Sequence, residues 1–521
     1  MKLKTPYAPP IAVASGLWLL LSLAIVLIPL RSLVMTPWLI DDSFIFMQIA
    51  RNLATGHGYS FDGVTPTSGA PVLWTLFTSL NHQWLGPIAA AKATMIESTF
   101  FSMAASVVVY ILATFWYERT IAWGAFLLSL FSTPMFLQSM NGMETGLFAL
   151  IGLLAILSYI QARRKDDSLR WYVSTGVLLG LLNLTRMDGV FLGGAIGLIH
   201  LVYFSQHLKS RRVVLGSIAL VGFLVLFTLP TLLWSWYVSG SLLPANQAGR
   251  HFLAWQGIAP FSLTYFYNVL VLFYRLSLLF QITIGASLII LPLLVFWAYW
   301  QRDVFPYSAI ILIYIVAYCG TLLFYQWYFP DVHGLRYLHL PGHLMSIPVA
   351  ALVYAIATII KQRINLNPIA LYSTALAILL VLSAVSYADM VRVQCPWARE
   401  LDIIPLHSKE EYEEWWQFLE WVNANTPPGT VIAAKDHGRL AYFTHARVVD
   451  LAGIIDPILI EKFFSGELRS YLHDEGIEYI IMPGEGGNLL FQRAREVLPL
   501  ERVTDAPSQE STRYWLYRVT W

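Results

Sequence analysis

Apolar stretches near the length needed to cross a bilayer recur along this chain, and basic clusters fall in every second gap between them. The first, Ile11–Leu30, follows Lys2 and Lys4. Further spans are expected near Ile88–Trp116, Ile121–Gln138, Leu147–Gln161, Trp171–Leu184, Val190–Ser205, Val213–Val238, Gln281–Trp300, Tyr307–Tyr328, His343–Ile360 and Ile369–Tyr387. About twenty apolar residues in a helix cover the hydrocarbon core, and backbone in that core must satisfy its own hydrogen bonds. The expected fold class is therefore a polytopic α-helical membrane protein with about eleven transmembrane helices. The first stretch has no small-x-small cleavage site and is followed at once by others, so it reads as a retained helix, not a signal peptide.

Charge asymmetry orients the map. One side receives Lys2 and Lys4, Glu118 and Arg119, Arg163 to Lys165, Lys209 to Arg212, Arg302, and Lys361 with Arg363. The other receives residues 31–87, Asn141–Glu144, Arg186–Asp188, Ser239–Leu263 and Phe329–Gly342. The N-terminus is then cytoplasmic and everything after about residue 388 is extracytoplasmic, giving a multi-pass cell-membrane protein. With 57% hydrophobic and 12% charged residues the chain could not cover a soluble surface, and its net charge of +1 offers no field for nucleic acid. Cys319 lies in an apolar run and Cys395 beyond the last one, which is no disulfide framework.

From Ala388 the charge density rises. Glu410–Asn425 reads as an amphipathic helix with Trp415, Phe418, Leu419 and Val422 on one stripe. Thr426-Pro427-Pro428-Gly429 breaks it, and Thr430–Ala434, Arg447–Leu451 and Ile477–Met482 are strand candidates. The expected division is a membrane domain, 1–388, which carries the amphipathic helices of a first outer loop (31–87), and an extracytoplasmic α/β domain, 389–521.

That first outer loop holds the most concentrated polar signal. Phe46, Ile49, Ala50 and Leu53 recur at helical spacing while Ser43, Gln48, Arg51 and Asn52 are polar, which predicts an amphipathic helix lying in the interface. Asp41 and Asp42 stand at its start. One aspartate serves as a helix cap; two adjacent carboxylates repel each other and ask for a further role, of which catalysis is one. Other polar residues fall at outer helix ends: Glu144, the Arg186–Asp188 pair, and a short loop expected to hold His333, Arg336, Tyr337, His339 and His343. Singly, these read as interfacial anchors or salt-bridge partners. Together with the aspartates they predict a polar cavity at the outer leaflet. The histidine spacing includes one i, i+4 pair but lacks an accompanying Cys or Glu pattern, so no metal and no cofactor is expected.

The order first helix, Asp41-Asp42, Ala50-Arg51-Asn52-Leu53-Ala54-x-Gly56-His57-Gly58-Tyr59, then Thr67-Ser68-Gly69-Ala70-Pro71 resembles the GT-C superfamily of membrane glycosyltransferases. Within it the sequence is similar to the AftB-like, arabinofuranosyltransferase-related branch, which uses polyprenyl-phosphate sugars. Gly142-Met143-Glu144-Thr145, Thr185-Arg186-Met187-Asp188-Gly189, Leu243-Pro244-Ala245-Asn246, Arg336-Tyr337, Asp436-His437-Gly438 and Val449-Asp450-Leu451-Ala452-Gly453 extend the likeness along the chain. Met187 stands where related sequences often have proline, and Thr67–Pro71 varies a more common Thr-Ser-Pro pattern.

The resemblance implies an inverting hexosyl- or pentosyltransferase with a polyprenyl-phosphate-linked sugar as donor, a glycan or lipid of the cell envelope as acceptor, and the bilayer as its setting. Asp41 and Asp42 become the catalytic carboxylates. Asp41, further from the helix body, is expected to act as the base while Asp42 caps. Arg336, Tyr337, His333, Arg186, Asp188, Glu144 and His57 become candidates for holding donor phosphate or substrate. A secondary transporter and a non-catalytic envelope scaffold are the rival readings. No inverted halves are visible for the first, and the second has no need of paired acids.

Overall fold

The computed structural model describes residues 8–34, 39, 41–245, 305–322, 336–363, 367–394, 409–435, 437–451, 453–456, 458–483, 489–504, 506–507 and 514–521. The expected span Gln281–Trp300, the loop residue His333 and Asp436 lie outside these.

The helices run α1 (Ala8–Leu27), α2 (Leu30–Val34), α3 (Asp41–Ala54), α4 (Val72–Trp84), α5 (Pro87–Ala113), α6 (Arg119–Phe131), α7 (Thr133–Gln138), α8 (Thr145–Arg164), α9 (Leu169–Thr185), α10 (Gly189–Gln206) and α11 (Arg211–Ser239). They continue with α12 (Phe305–Leu322), α13 (His339–Arg363), α14 (Pro368–Gln394) and α15 (Lys409–Asn425). Among the described residues seven helices are long and apolar enough to cross a membrane. The expected span Ile121–Gln138 is two helices, α6 and α7. The chain turns extended at Ser132, because Pro134 carries no amide to continue the α6 ladder. The freed Thr133 amide donates to Ser383 Oγ at 3.0 Å.

The chain divides into two compact units. The first contains Met1–Ile28, Met95–Leu229 and Gly257–Gln394. Its helices pack closely through small residues: a Cβ on Gly176 would lie 2.4 Å from the Leu220 carbonyl oxygen, and one on Gly146 2.6 Å from that of Ser98. Its outward faces are apolar, with Leu20 and Leu27 of α1, Leu226 of α11 and Val381 of α14 all exposed. Lipid tails cover such faces at no hydrophobic cost.

The second unit joins Pro29–Thr94, Pro230–Gln256 and Cys395–Trp521. Residues 31–87, expected to belong to the membrane domain, group here with the C-terminal region. Its core is a five-stranded sheet, β1 (Val431–Ala434), β2 (Arg447–Asp450), β3 (Tyr479–Pro483), β4 (Leu500–Arg502) and β5 (Tyr514–Val519), in the order β2-β1-β3-β5-β4. β2, β1 and β3 are parallel; β5 runs against β3 and β4. The three parallel strands were legible as apolar runs. β4 is a three-residue edge with two exposed positions and carries no such signal. Short helices connect the strands: α16 (Gly438–Phe443), α17 (Leu459–Ser465), α18 (Leu468–Asp474) and α19 (Leu489–Val497). Phe418, Leu419 and Val422 of α15 are buried, as their stripe predicts.

Thr67, Ser68 and Gly69 stitch this unit together. Thr67 Oγ1 donates to the Ile455 carbonyl at 2.6 Å, the Thr67 carbonyl accepts from Trp234 Nε1 at 2.9 Å, and Ser68 Oγ accepts from the Ala245 amide at 3.0 Å. Gly69 sits so close to the Ile454 carbonyl that a Cβ would lie 2.5 Å from it.

Candidate functional site

The sequence candidates fall into two clusters, one in each unit. In the second unit, α3 opens on Asp41 and Asp42, both partly exposed. α3 is not the interfacial helix expected: Ser43, Gln48 and Asn52 on its polar face are as buried as Phe44 and Ile49 on the other, because α4 and α16 pack around it. Asn52 Nδ2 spends its hydrogens on the carbonyls of Ser60 and Phe61, at 3.0 and 2.8 Å, which holds the following turn.

The placement of Asp41 also differs from expectation. Its Oδ2 accepts from the Gly438 amide at 2.7 Å and its Oδ1 from the Arg439 amide at 2.8 Å. Asp41 is thus engaged at the start of α16 through both of its oxygens. At the other end of α16, Arg51 donates from Nη1 to the Tyr442 carbonyl (2.9 Å) and from Nη2 to the Ala441 carbonyl (3.0 Å), with its guanidinium 5.2 Å from the Tyr442 ring centre. An acid at the amino end of a helix and a base at its carboxyl end both complement its dipole. Arg439 returns a bond from Nη2 to the Leu39 carbonyl at 3.0 Å, and Tyr442 Oη donates to the Pro87 carbonyl at 2.6 Å. Burial, aided by the Arg51 charge, pushes nearby His82 down to about 4, so it is neutral at pH 7. His57 is exposed in the turn after α3, its Nδ1 2.9 Å from Thr55 Oγ1.

The second cluster, in the first unit, is built from helix ends. Glu144 precedes α8, Arg186 ends α9, Asp188 precedes α10, and Arg336 and Tyr337 occupy the 3₁₀ turn before α13. Arg186 Nη1 lies 3.3 Å from Glu144 Oε1, and its Nη2 and Nε lie 2.5 and 3.1 Å from Asp188 Oδ2. Burial works against the Arg186 charge, but Asp188, neighbouring tyrosines and Glu144 outweigh it and hold the guanidinium well above its ordinary range. The Tyr337 ring lies between two cations, Arg186 at 4.8 Å and Arg336 at 4.9 Å from its centre. Arg336 Nη2 donates to Tyr337 Oη at 2.8 Å. Arg186 is therefore committed to two carboxylates. Asn141 organises the Glu144 loop, its Oδ1 accepting from the Met143 amide at 2.8 Å.

His339 and His343 are not in an outer loop. α13 starts at His339, and both rings are fully enclosed among helices of the first unit. Sequence reasoning missed Arg51, Gly438 and Arg439, whose roles come from partners some 390 positions away. The Asp-His-Gly motif was the only local mark of that end.

Residues 402–517 match a family described as a domain of unknown function (DUF8728). No curated protein matches the chain in sequence. In three dimensions it is similar to ArnT from Cupriavidus metallidurans in the apo state, with a TM-score of 0.52 and 14% identity over 97% of this chain and 98% of that one. The same enzyme bound to undecaprenyl phosphate gives 0.51 and 14% over 96% and 98%. The oligosaccharyltransferase of Archaeoglobus fulgidus in its apo form gives 0.53 and 13%, over 92% of this chain and 70% of that one. The likeness is one of fold: a polytopic helical membrane part with a C-terminal α/β region.

Proposed function

We propose that this protein is a glycosyltransferase of the membrane that takes a sugar from a polyprenyl phosphate and places it on a glycan or lipid acceptor at the outer face. The observation that carries the reading is the near end-to-end likeness, over 96% of this chain and 98% of the other, to an enzyme structure holding undecaprenyl phosphate. The paired aspartates at the start of α3 supply what such a reaction asks of a protein.

An acceptor hydroxyl is a weak nucleophile, and its oxygen attacks the anomeric carbon as a carboxylate takes its proton. The new carbon–oxygen bond forms while the bond from that carbon to the phosphate oxygen breaks, and the electron pair leaves with the lipid phosphate. A single displacement inverts the anomeric centre. Asp42 is assigned the proton and Asp41 a positioning role, since both oxygens of Asp41 already accept backbone amides. Arg336, beside Tyr337, is assigned separately to binding the donor's phosphate. Hexosyl and pentosyl donors both meet these requirements.

The test is transfer by the purified protein in lipid or detergent. Labelled polyprenyl-phosphate hexose and pentose are offered against the matching nucleotide sugars, with and without chelator. Transfer from a lipid phosphate and none from the nucleotide form supports the reading. Transfer from nucleotide sugars alone overturns it.

A further inference from the structure

His339 and His343 lie one turn apart on α13, 1% and 0% exposed. Ser102 and Ser106 lie one turn apart on α5, with Ser129 on α6 beside them. His339 Nε2 meets Ser102 Oγ at 3.0 Å and His343 Nδ1 meets Ser129 Oγ at 2.7 Å. Ser129 Oγ in turn donates to Ser106 Oγ at 3.0 Å, and Ser106 Oγ donates to the Ser102 carbonyl at 3.3 Å. A hydroxyl has one hydrogen, and with that of Ser129 on Ser106 the His343 ring donates from Nδ1. His339 Nδ1 and His343 Nε2 have no partner among the described residues. Two buried imidazoles satisfied only toward serines on neighbouring helices are costly groups in an apolar bundle, and so bind the bundle to the one arrangement that pairs them.

We propose that this matched histidine–serine ladder fixes the axial register of α13 and thereby positions Arg336 and Tyr337. Apolar helix faces slide past one another with little preference, whereas a slip by one turn here would leave one histidine opposite no serine. Arg336 and Tyr337 stand within one turn of His339, and Ser102 packs directly on Gly146, two residues from Glu144. The ladder therefore ties the turn bearing Arg336 to the helix beneath the Glu144 loop. His339 and His343 are positioning residues, acting through Arg336.

The functional half of this inference rests on the proposed glycosyl transfer; the register half does not. Spin labels are placed at exposed Phe100 on α5 and exposed Ile356 on α13, in a chain with both native cysteines replaced. In Ser102→Ala/Ser129→Ala the distance distribution broadens or shifts toward one helical turn, about 5 Å. In the same variant the KM for the lipid donor rises about tenfold with kcat less affected, and in an Arg336→Ala background the two changes cost nothing more. His343→Asn, which keeps a donor where Nδ1 was, recovers most of what His343→Leu loses. A distance distribution unchanged from wild type, or a kinetic loss that adds in full to Arg336→Ala, overturns the inference. Should the distribution move while wild type uses no polyprenyl-phosphate sugar, the donor reading falls and the register claim stands.

Discussion

Asp41 and Gly438 are 397 positions apart in the chain and joined by a 2.7 Å hydrogen bond from the glycine amide to Oδ2. The contact is tight enough to dictate the residue: a Cβ on Gly438 would lie 2.2 Å from the Asp41 carbonyl oxygen and 2.9 Å from the Ile45 amide. Gly438→Ala must push α3 and α16 apart. Its expected cost is about 1–3 kcal/mol, the usual range for overpacking, read as a lowered melting temperature of the whole protein. A melting temperature within a degree of wild type would show the contact to be slack.

The two aspartates should separate by measurement. Asp42→Asn keeps shape and removes a proton acceptor, so turnover should fall about 10²–10⁴-fold. Asp41→Asn replaces one amide-accepting oxygen with a donor and should lower the melting temperature as well as turnover. The reverse pattern, full stability in Asp41→Asn and full activity in Asp42→Asn, would return the base role to Asp41.

How far such roles were readable follows from how local their signals are. The spans, the amphipathic stripe of α15 and the three parallel strands rest on hydrophobic periodicity, which acts over a few residues. Pairing Asp41 with Gly438, or Arg51 with Tyr442, depends on tertiary contact that no spacing rule reaches. α3 misled for a related reason. Its sequence is amphipathic, but the polar side chains of Asn52 and Gln48 face buried partners, and pattern alone does not separate that from water. His339 and His343 misled because a histidine beside a helix start looks like loop chemistry until its serine partners on other helices are known.

The two arginines of the first unit should answer differently to truncation. Arg186→Ala removes the guanidinium that pairs buried Glu144 and half-buried Asp188, and losing one partner of a buried ion pair costs about 3–5 kcal/mol, so expression and thermal stability should suffer most. Arg336→Ala should fold and bind donor less tightly, by on order of tenfold or more, the worth of one charge-assisted hydrogen bond. Binding of polyprenyl phosphate by each purified variant decides between them.

The orientation expected from the alternating basic loops can be read in whole cells. Cysteines at exposed Val64 and Phe464 of the second unit should react with an impermeant thiol reagent, and one at exposed Leu208, beside the basic Lys209–Arg212 stretch, should not. Labelling at position 208 with protection at the other two would put the aspartates on the cytoplasmic side.

The last expectation concerns pH and the C-terminal sheet. Asp456 lines a small, half-open pocket with Asp62, Asp450, Tyr471 and Glu475. Burial pushes its carboxyl up to about 6, with the neighbouring Asp450 charge adding to the rise; the Tyr471 hydroxyl and the Ile458 and Leu459 amides pull the other way. Arg447 neutralises Asp62 and Glu475 across the same pocket, at 2.7 and 2.5 Å. A carboxyl whose folded value lies above its unfolded value of 3.8 binds its proton more tightly in the folded state. Its stabilising contribution is complete below about pH 4 and is lost as pH rises through about 6, to a total of about 3 kcal/mol. Asp456→Asn mimics the protonated form: Oδ1 still accepts the two amides, and the new amide group faces the Tyr471 oxygen. The variant should therefore melt with wild type at about pH 3.5 and above it at about pH 6.5, by differential scanning fluorimetry of the full-length protein. An offset that is the same at both values would mean that Asp456 keeps its charge throughout, and that Arg447 reaches further across the pocket than its two ion pairs imply.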